Sequence, residues 1–180
     1  MPILSKMLAP LLLLVALAFA PARAEAFLSI GAGGGLSSGS GDAQIGYKST
    51  SWYYSGEALL GFLPMLDTGV FYDHNILRDA ADITSQGMDF YGLIAQFGLG
   101  MVTDLFVDAR LGFTKRDSIG LATYDSAFGY GVGLGYKFSI IPMISIKPHV
   151  GFRHLPAKIT GLDAVSANFW DFGAILSVGF

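Results

Sequence analysis

The 180-residue sequence contains no cysteine. That excludes a disulfide-stapled scaffold, a thiolate metal centre, a cysteine nucleophile and lipid attachment at an N-terminal cysteine. Charge is scarce too, with Asp, Glu, Lys and Arg together at 14%, against roughly a quarter in an average soluble domain. Such a share argues against an ordinary cytosolic enzyme. The formal net charge of −3 offers no electrostatic footprint for DNA or RNA. The three histidines are dispersed, without metal-ligand spacing, and nothing in the sequence asks for a cofactor. After residue 24, glycine, a charge or a polar residue breaks every apolar run within a dozen positions, well short of the roughly 20 residues that a membrane-spanning helix needs.

What is abundant is apolar surface and glycine. Hydrophobic residues make up 52% of the chain, there are 24 glycines, and the mean hydropathy is +0.52. The glycines follow no three-residue period, which excludes collagen. The composition therefore belongs to a membrane protein that does not cross with helices.

The first segment reads as an export signal. Lys6 gives a positive start, Leu8 to Ala20 is almost wholly apolar, and Ala22-Arg23-Ala24 supplies small residues suited to a signal peptidase. We expect cleavage after Ala24, leaving a single unit over 25–180. Removal of Lys6 and Arg23 leaves 9 basic and 14 acidic residues, a net charge of −5.

Beyond the signal, a period of two recurs eight times. From Asn168 to Phe180, Trp170, Phe172, Ala174, Leu176, Val178 and Phe180 share one face, and Asp171, Gly173, Ile175, Ser177 and Gly179 the other. The same alternation marks Phe27 to Leu36, Trp52 to Phe62, Leu66 to Ile76, Tyr91 to Leu99, Val107 to Thr114, Gly129 to Phe138 and Ile144 to Phe152. Period-two alternation predicts strands with one large apolar face and one small or polar face. A soluble sandwich would show water a charged face. Here the large face is greasy and the small one glycine-rich with scattered charges, so the small side predicts an interior and the large side a lipid-facing exterior. Closure is required, because an open sheet edge in hydrocarbon leaves backbone groups unpaired. The expected fold is all-β: a closed, antiparallel, up-and-down, eight-stranded transmembrane barrel.

The connections fit that order. Short links at Phe62 to Leu66, Gly100 to Asp104 and Phe138 to Pro142 alternate with longer ones at Ser37 to Ser51, Leu77 to Gln86, Lys115 to Thr123 and Pro156 to Ala167. Short periplasmic turns and long external loops are the expected asymmetry. The run Gly31, Gly33, Gly34, Gly35 lacks the lysine and following helix of a phosphate-binding loop, and reads as packing within a strand.

With its eight alternating segments, its signal and its ending Ala174-Ile175-Leu176-Ser177-Val178-Gly179-Phe180, the mature chain resembles the small eight-stranded outer-membrane barrels of the OmpA, OmpX and opacity-protein kind. The resemblance implies the outer membrane of a Gram-negative envelope, with its lipid and lipopolysaccharide as surroundings, the barrel-assembly machinery as a partner, and a monomer. It implies little about task, since such barrels serve as adhesins, structural anchors, small porin-like channels and lipid enzymes. It also implies that the terminal aromatic, preceded by alternating apolar residues, is an assembly signal, here Trp170, Phe172, Leu176, Val178 and Phe180.

Parity places Glu57, Asp67, Asp73, Asp108 and Asp171 inside, together with Arg110, Lys137, Lys147, Arg153 and His149. Near balance of charge in a narrow lumen predicts ion pairing, with Arg110 and Lys147 expected against Glu57, Asp108 or Asp171. These groups could line a selective pore. Eight strands enclose just enough room for side chains, which favours a filled polar core. An enzyme is the other class. Lipid A deacylases, which the chain resembles in size, use a serine two positions from a histidine on the outer face. His74 is flanked at that spacing by Tyr72 and Ile76, and His154 by Phe152 and Pro156, so neither has the serine. The expectation is a non-enzymatic barrel with a structural or adhesin-like surface role, its charged external loops available to a ligand, and a narrow channel as the alternative.

Overall fold

The computed structural model describes residues 27–41, 50–63, 65–78, 85–99, 104–117, 124–159, 164–165 and 167–180. The signal over 1–24 and the central parts of the four long links lie outside these residues. The strands are β1 (Leu28–Gly41), β2 (Thr50–Leu63), β3 (Leu66–Arg78), β4 (Ser85–Gly98), β5 (Leu105–Arg116), β6 (Tyr124–Asp125), β7 (Ala127–Tyr136), β8 (Phe138–Ile141), β9 (Ile144–His154), β10 (Ala157–Ile159), β11 (Ala164–Val165) and β12 (Ala167–Gly179). β7 and β8 act as one strand interrupted at Lys137, because Phe138–Ile146 resumes the register that Gly135–His149 sets. Neighbours in the chain pair antiparallel in the order β12-β1-β2-β3-β4-β5-β7-β9, and β9 pairs β12 to close the ring. This is the closed eight-stranded barrel.

The stagger follows from the pairing. A circuit from Ser29 through Leu59, Gly69, Ile94, Arg110, Gly131, Arg153 and Phe169 returns to β1 at Gly39, ten residues beyond its start. Ten residues are about 33 Å along a strand, and eight strands span about 38 Å across, so the strands tilt by about 40°. At that tilt the barrel is narrow enough for side chains to fill it.

Strands reach further than the apolar alternation does, mostly at their outer ends. β1 continues to Gly41 and β4 begins at Ser85, through polar segments that lack an apolar face but keep the hydrogen-bonded ladder. Three short strands, β6, β10 and β11, form a separate three-stranded sheet at that end, with Lys158 opposite Asp125; two- and three-residue strands carry too little alternation to be read. At the opposite end, Met65 adopts φ 72° in the tight turn that joins Leu63 to Leu66. Gly98 N donates to the Met65 carbonyl at 2.8 Å.

The exterior is layered. Trp52, Tyr54, Tyr72, Tyr91, Phe113, Phe128, Tyr130, Trp170 and Phe172 form an exposed outer aromatic ring, linked through pairs such as Tyr72–Tyr91, Tyr91–Phe113 and Phe113–Phe128. Phe27, Phe62, Phe97, Phe138 and Phe180 are exposed near the short-turn end. Between the two rings lie Ile30, Val70, Leu93, Leu111, Val132, Leu134 and Leu176, all exposed. Two aromatic girdles around an aliphatic band are the surface of a membrane-spanning barrel.

Candidate functional site

The lumen is built by the inward parity of each strand. Toward the short-turn end it opens as a vestibule of about 660 Å³, lined among others by Ser29, Asp67, Asp104, Lys137, Ser145 and Ser177. Above it Lys147 Nζ pairs with Glu57 Oε1, and Gln96 lies beside both, donating to Glu57 Oε2 at 3.3 Å. Next comes Arg110, whose Nη1 reaches Asp73 Oδ1 and Oδ2 at 3.1 and 2.8 Å while Nε donates to Asp108 Oδ1 at 3.1 Å. Asp73 is shared, since Arg153 Nη1 donates to its Oδ2 at 3.1 Å and Ser55 Oγ to its Oδ1 at 2.5 Å. Arg153 also makes a two-pronged pair with Asp171 and donates to Ser37 Oγ at 2.9 Å and Asn75 Oδ1 at 2.8 Å.

Sequence parity thus places Glu57, Asp73, Asp108, Arg110, Lys147, Arg153 and Asp171 inward, and the structure brings them into contact. The pairings differ in part from the expected ones. Arg110 takes Asp73 and Asp108, whereas Asp171 goes to Arg153. The stagger between non-adjacent strands decides this, and no single strand's pattern reveals it. Aromatic rings support both guanidinium groups, Phe71 at 5.4 Å from Arg110 and Tyr53 at 4.8 Å from Arg153.

Small residues make the room. A Cβ at Gly131 would press on the Arg153 Cγ, one at Gly133 on the Asp108 carboxylate, and one at Gly173 on the Tyr53 hydroxyl. Tyr53 thereby reaches His149 Nε2 at 2.9 Å. The void remaining among Tyr53, Asp108, Arg110, His149 and Asp171 is about 10 Å³, the space of one water molecule. Toward the long-link end the filling turns apolar, with Leu77, Met88, Phe90, Leu155, Ala167 and Phe169 buried together. Charged side chains and, toward the long-link end, apolar ones thus occupy the lumen among the described residues.

Outside, Trp170, Phe172, Leu176, Val178 and Phe180 share the lipid-facing side of β12. Phe180 N donates to Leu28 O at 2.8 Å, so the last residue also belongs to the closing seam. Leu28 N also donates to Phe180 O at 3.4 Å, so deletion of Phe180 is expected to cost about 1–2 kcal/mol for two lost seam bonds, yet to slow insertion markedly in cells. Comparing heat-modifiable folded protein in cell membranes with refolding into synthetic lipid checks this. Normal assembly in cells would refute the signal role, and failure in both settings would assign Phe180 to stability.

Among the described residues neither outward histidine hydrogen-bonds to a serine. His74 Nδ1 lies 2.7 Å from Asp89 Oδ1 with Tyr54 stacked on its ring, and His154 Nδ1 lies 2.8 Å from Asn168 Oδ1 with Tyr130 stacked on its ring. Among the described residues no group of three or more His, Asp or Glu could hold a metal ion.

No protein-family model and no curated protein matches the sequence. Solved structures do resemble the chain. Neisserial surface protein A (NspA) superposes with a TM-score of 0.68 at 14% identity, covering 88% of this chain and 100% of that one. The outer membrane protein OprG from Pseudomonas aeruginosa gives 0.55 at 11%, covering 88% and 99%. The outer membrane protein AlkL, solved in DMPC lipid bilayers, gives 0.52 at 9%, covering 89% and 95%. At these identities the likeness is one of fold: the chain has the closed eight-stranded β-barrel fold of these small outer-membrane proteins.

Proposed function

We propose that this chain is exported by a cleaved leader over 1–24 and resides in an outer membrane as a non-enzymatic barrel with a structural or surface-interaction role. The observation that supports this most is the filled lumen, in which salt-bridged side chains and an apolar layer occupy the space a solute would need. The exterior supports the location, because its girdled apolar band suits lipid and is far larger than the few hundred Å² a soluble monomer exposes. Function then falls to the rim and the four long links, held by a rigid frame as binding loops usually are. A narrow channel is the second reading, favoured by the 660 Å³ vestibule, which ends below the Lys147–Glu57 pair.

Fractionation of cells combined with protease treatment of the intact surface tests the proposal. We expect a mature chain beginning at Glu25 in the outer-membrane fraction, cleaved from outside at one or more long links. Recovery in the inner membrane, or a chain retaining Met1, would overturn it.

A further inference from the structure

The two ends of the lipid-facing surface differ in chemistry. Among the described residues the exposed tyrosines and tryptophans, Trp52, Tyr54, Tyr72, Tyr91, Tyr130 and Trp170, all belong to the ring at the long-link end. One outward position beyond Tyr91 and Phe113 come Asp89 and Lys115, so that ring borders charge. At the short-turn end the exposed aromatics are phenylalanines alone. Tyrosine and tryptophan carry a polar handle that suits the headgroup boundary, and phenylalanine has none. The short-turn ring is thus made for hydrocarbon.

The turns continue the trend. Leu63 is exposed at the first short turn, and Leu99 and Leu105 are exposed on either side of the second. In the third, Ile140, Ile141, Pro142 and Met143 are exposed in one unbroken run. Water-facing turns are built from polar residues and glycine, and a wetted surface avoids such apolar runs. Among the described residues the charged side chains nearest these turns, Asp67, Asp104 and Lys137, line the vestibule. Height supplies an independent measure. From Asp89 to Leu99, and from Lys115 to Leu105, is ten residues, which at about 3.3 Å per residue and a tilt of about 40° makes about 25 Å along the membrane normal. The apolar band of an outer-membrane barrel is about 25 Å tall. This barrel reaches that height only when its turns are counted in the band, so no strand is left to cross a second headgroup layer.

We propose that the short-turn end is itself a lipid-binding face, sunk to the level of the inner-leaflet acyl chains, with the phospholipid of that leaflet and not a soluble periplasmic protein as its partner. The inference rests on the outer-membrane reading above. Because the chain has no cysteine, single cysteines carrying a spin label report depth cleanly. Met143→Cys and Leu63→Cys place the label in two different turns. Leu93→Cys, in the aliphatic band at 67% exposure, and Lys158→Cys, in the separate sheet at the long-link end, are the references. Each full mature chain is placed in nanodiscs of phosphatidylethanolamine and phosphatidylglycerol, which leave both membrane faces open to buffer. Only heat-modifiable, folded protein is measured, for collisions of the label with oxygen and with a water-soluble nickel chelate. We expect both turn labels to lose nickel collisions to the level of Leu93 and to keep strong oxygen collisions, with Lys158 showing the reverse. Nickel collisions at Met143 and Leu63 equal to those at Lys158, with Leu93 still shielded, would overturn the lipid face alone and leave that end open to a soluble partner. Nickel reaching Leu93 as well would overturn the membrane reading and the face with it.

Discussion

Replacement of Arg153 with Met is expected to lower barrel stability by about 3–5 kcal/mol, the usual result of removing one partner from a buried ion pair. Arg153 is 3% exposed and spends its donors on Asp171, Asp73, Ser37 and Asn75. Methionine keeps the aliphatic stem but donates nothing, so among the described residues Asp171 would stay buried with the Ser37 hydroxyl alone left to it. Arg110→Met should behave similarly, because Asp108 has Arg110 as its ion-pair partner and Asp73 would lose one of two. The same change at Arg78, in the long link that the sequence places at Leu77 to Gln86, should stay within about 0.5 kcal/mol. Urea unfolding in lipid vesicles measures all three. Equal stabilities would mean that water in the lumen screens these charges.

A second large effect should come from the apolar layer. Phe169 is 2% exposed and packs with Phe90, Leu77 and Leu155. Phe169→Ala leaves a cavity that a closed barrel cannot collapse around, at a cost of about 3–5 kcal/mol. Three residues along the same strand, Phe172 faces outward at 56% exposure. Phe172→Ala loses lipid contact and leaves no cavity, so about 2 kcal/mol is expected. If the outward change were the more damaging one, the parity of β12, and with it the assignment of inside and outside, would be reversed.

That parity was legible in the sequence because side chains alternate with a period of two, and the two faces of this barrel differ sharply in size. Trp170, Phe172 and Leu176 against Asp171, Gly173 and Ser177 settle the orientation of β12 before any pairing is known. Strand ends are harder. β4 read from Tyr91 because Asp89, one outward position earlier, breaks the apolar face. Partners inside the lumen are the least legible. Asp73 meets Arg110 and Arg153 only because the ten-residue stagger brings β3, β5 and β9 to one level, a property of the closed ring that no one strand carries.

Salt bridges and an apolar layer occupy the lumen among the described residues, and the proposed role places the work of the barrel at its surface. Single-channel conductance of the refolded mature protein in a planar bilayer tests that most directly. We expect no stable openings from the wild-type chain. Regular openings of uniform size, persisting while Lys147–Glu57 and Arg153–Asp171 are intact, would overturn that role and make the vestibule the entrance to a pore.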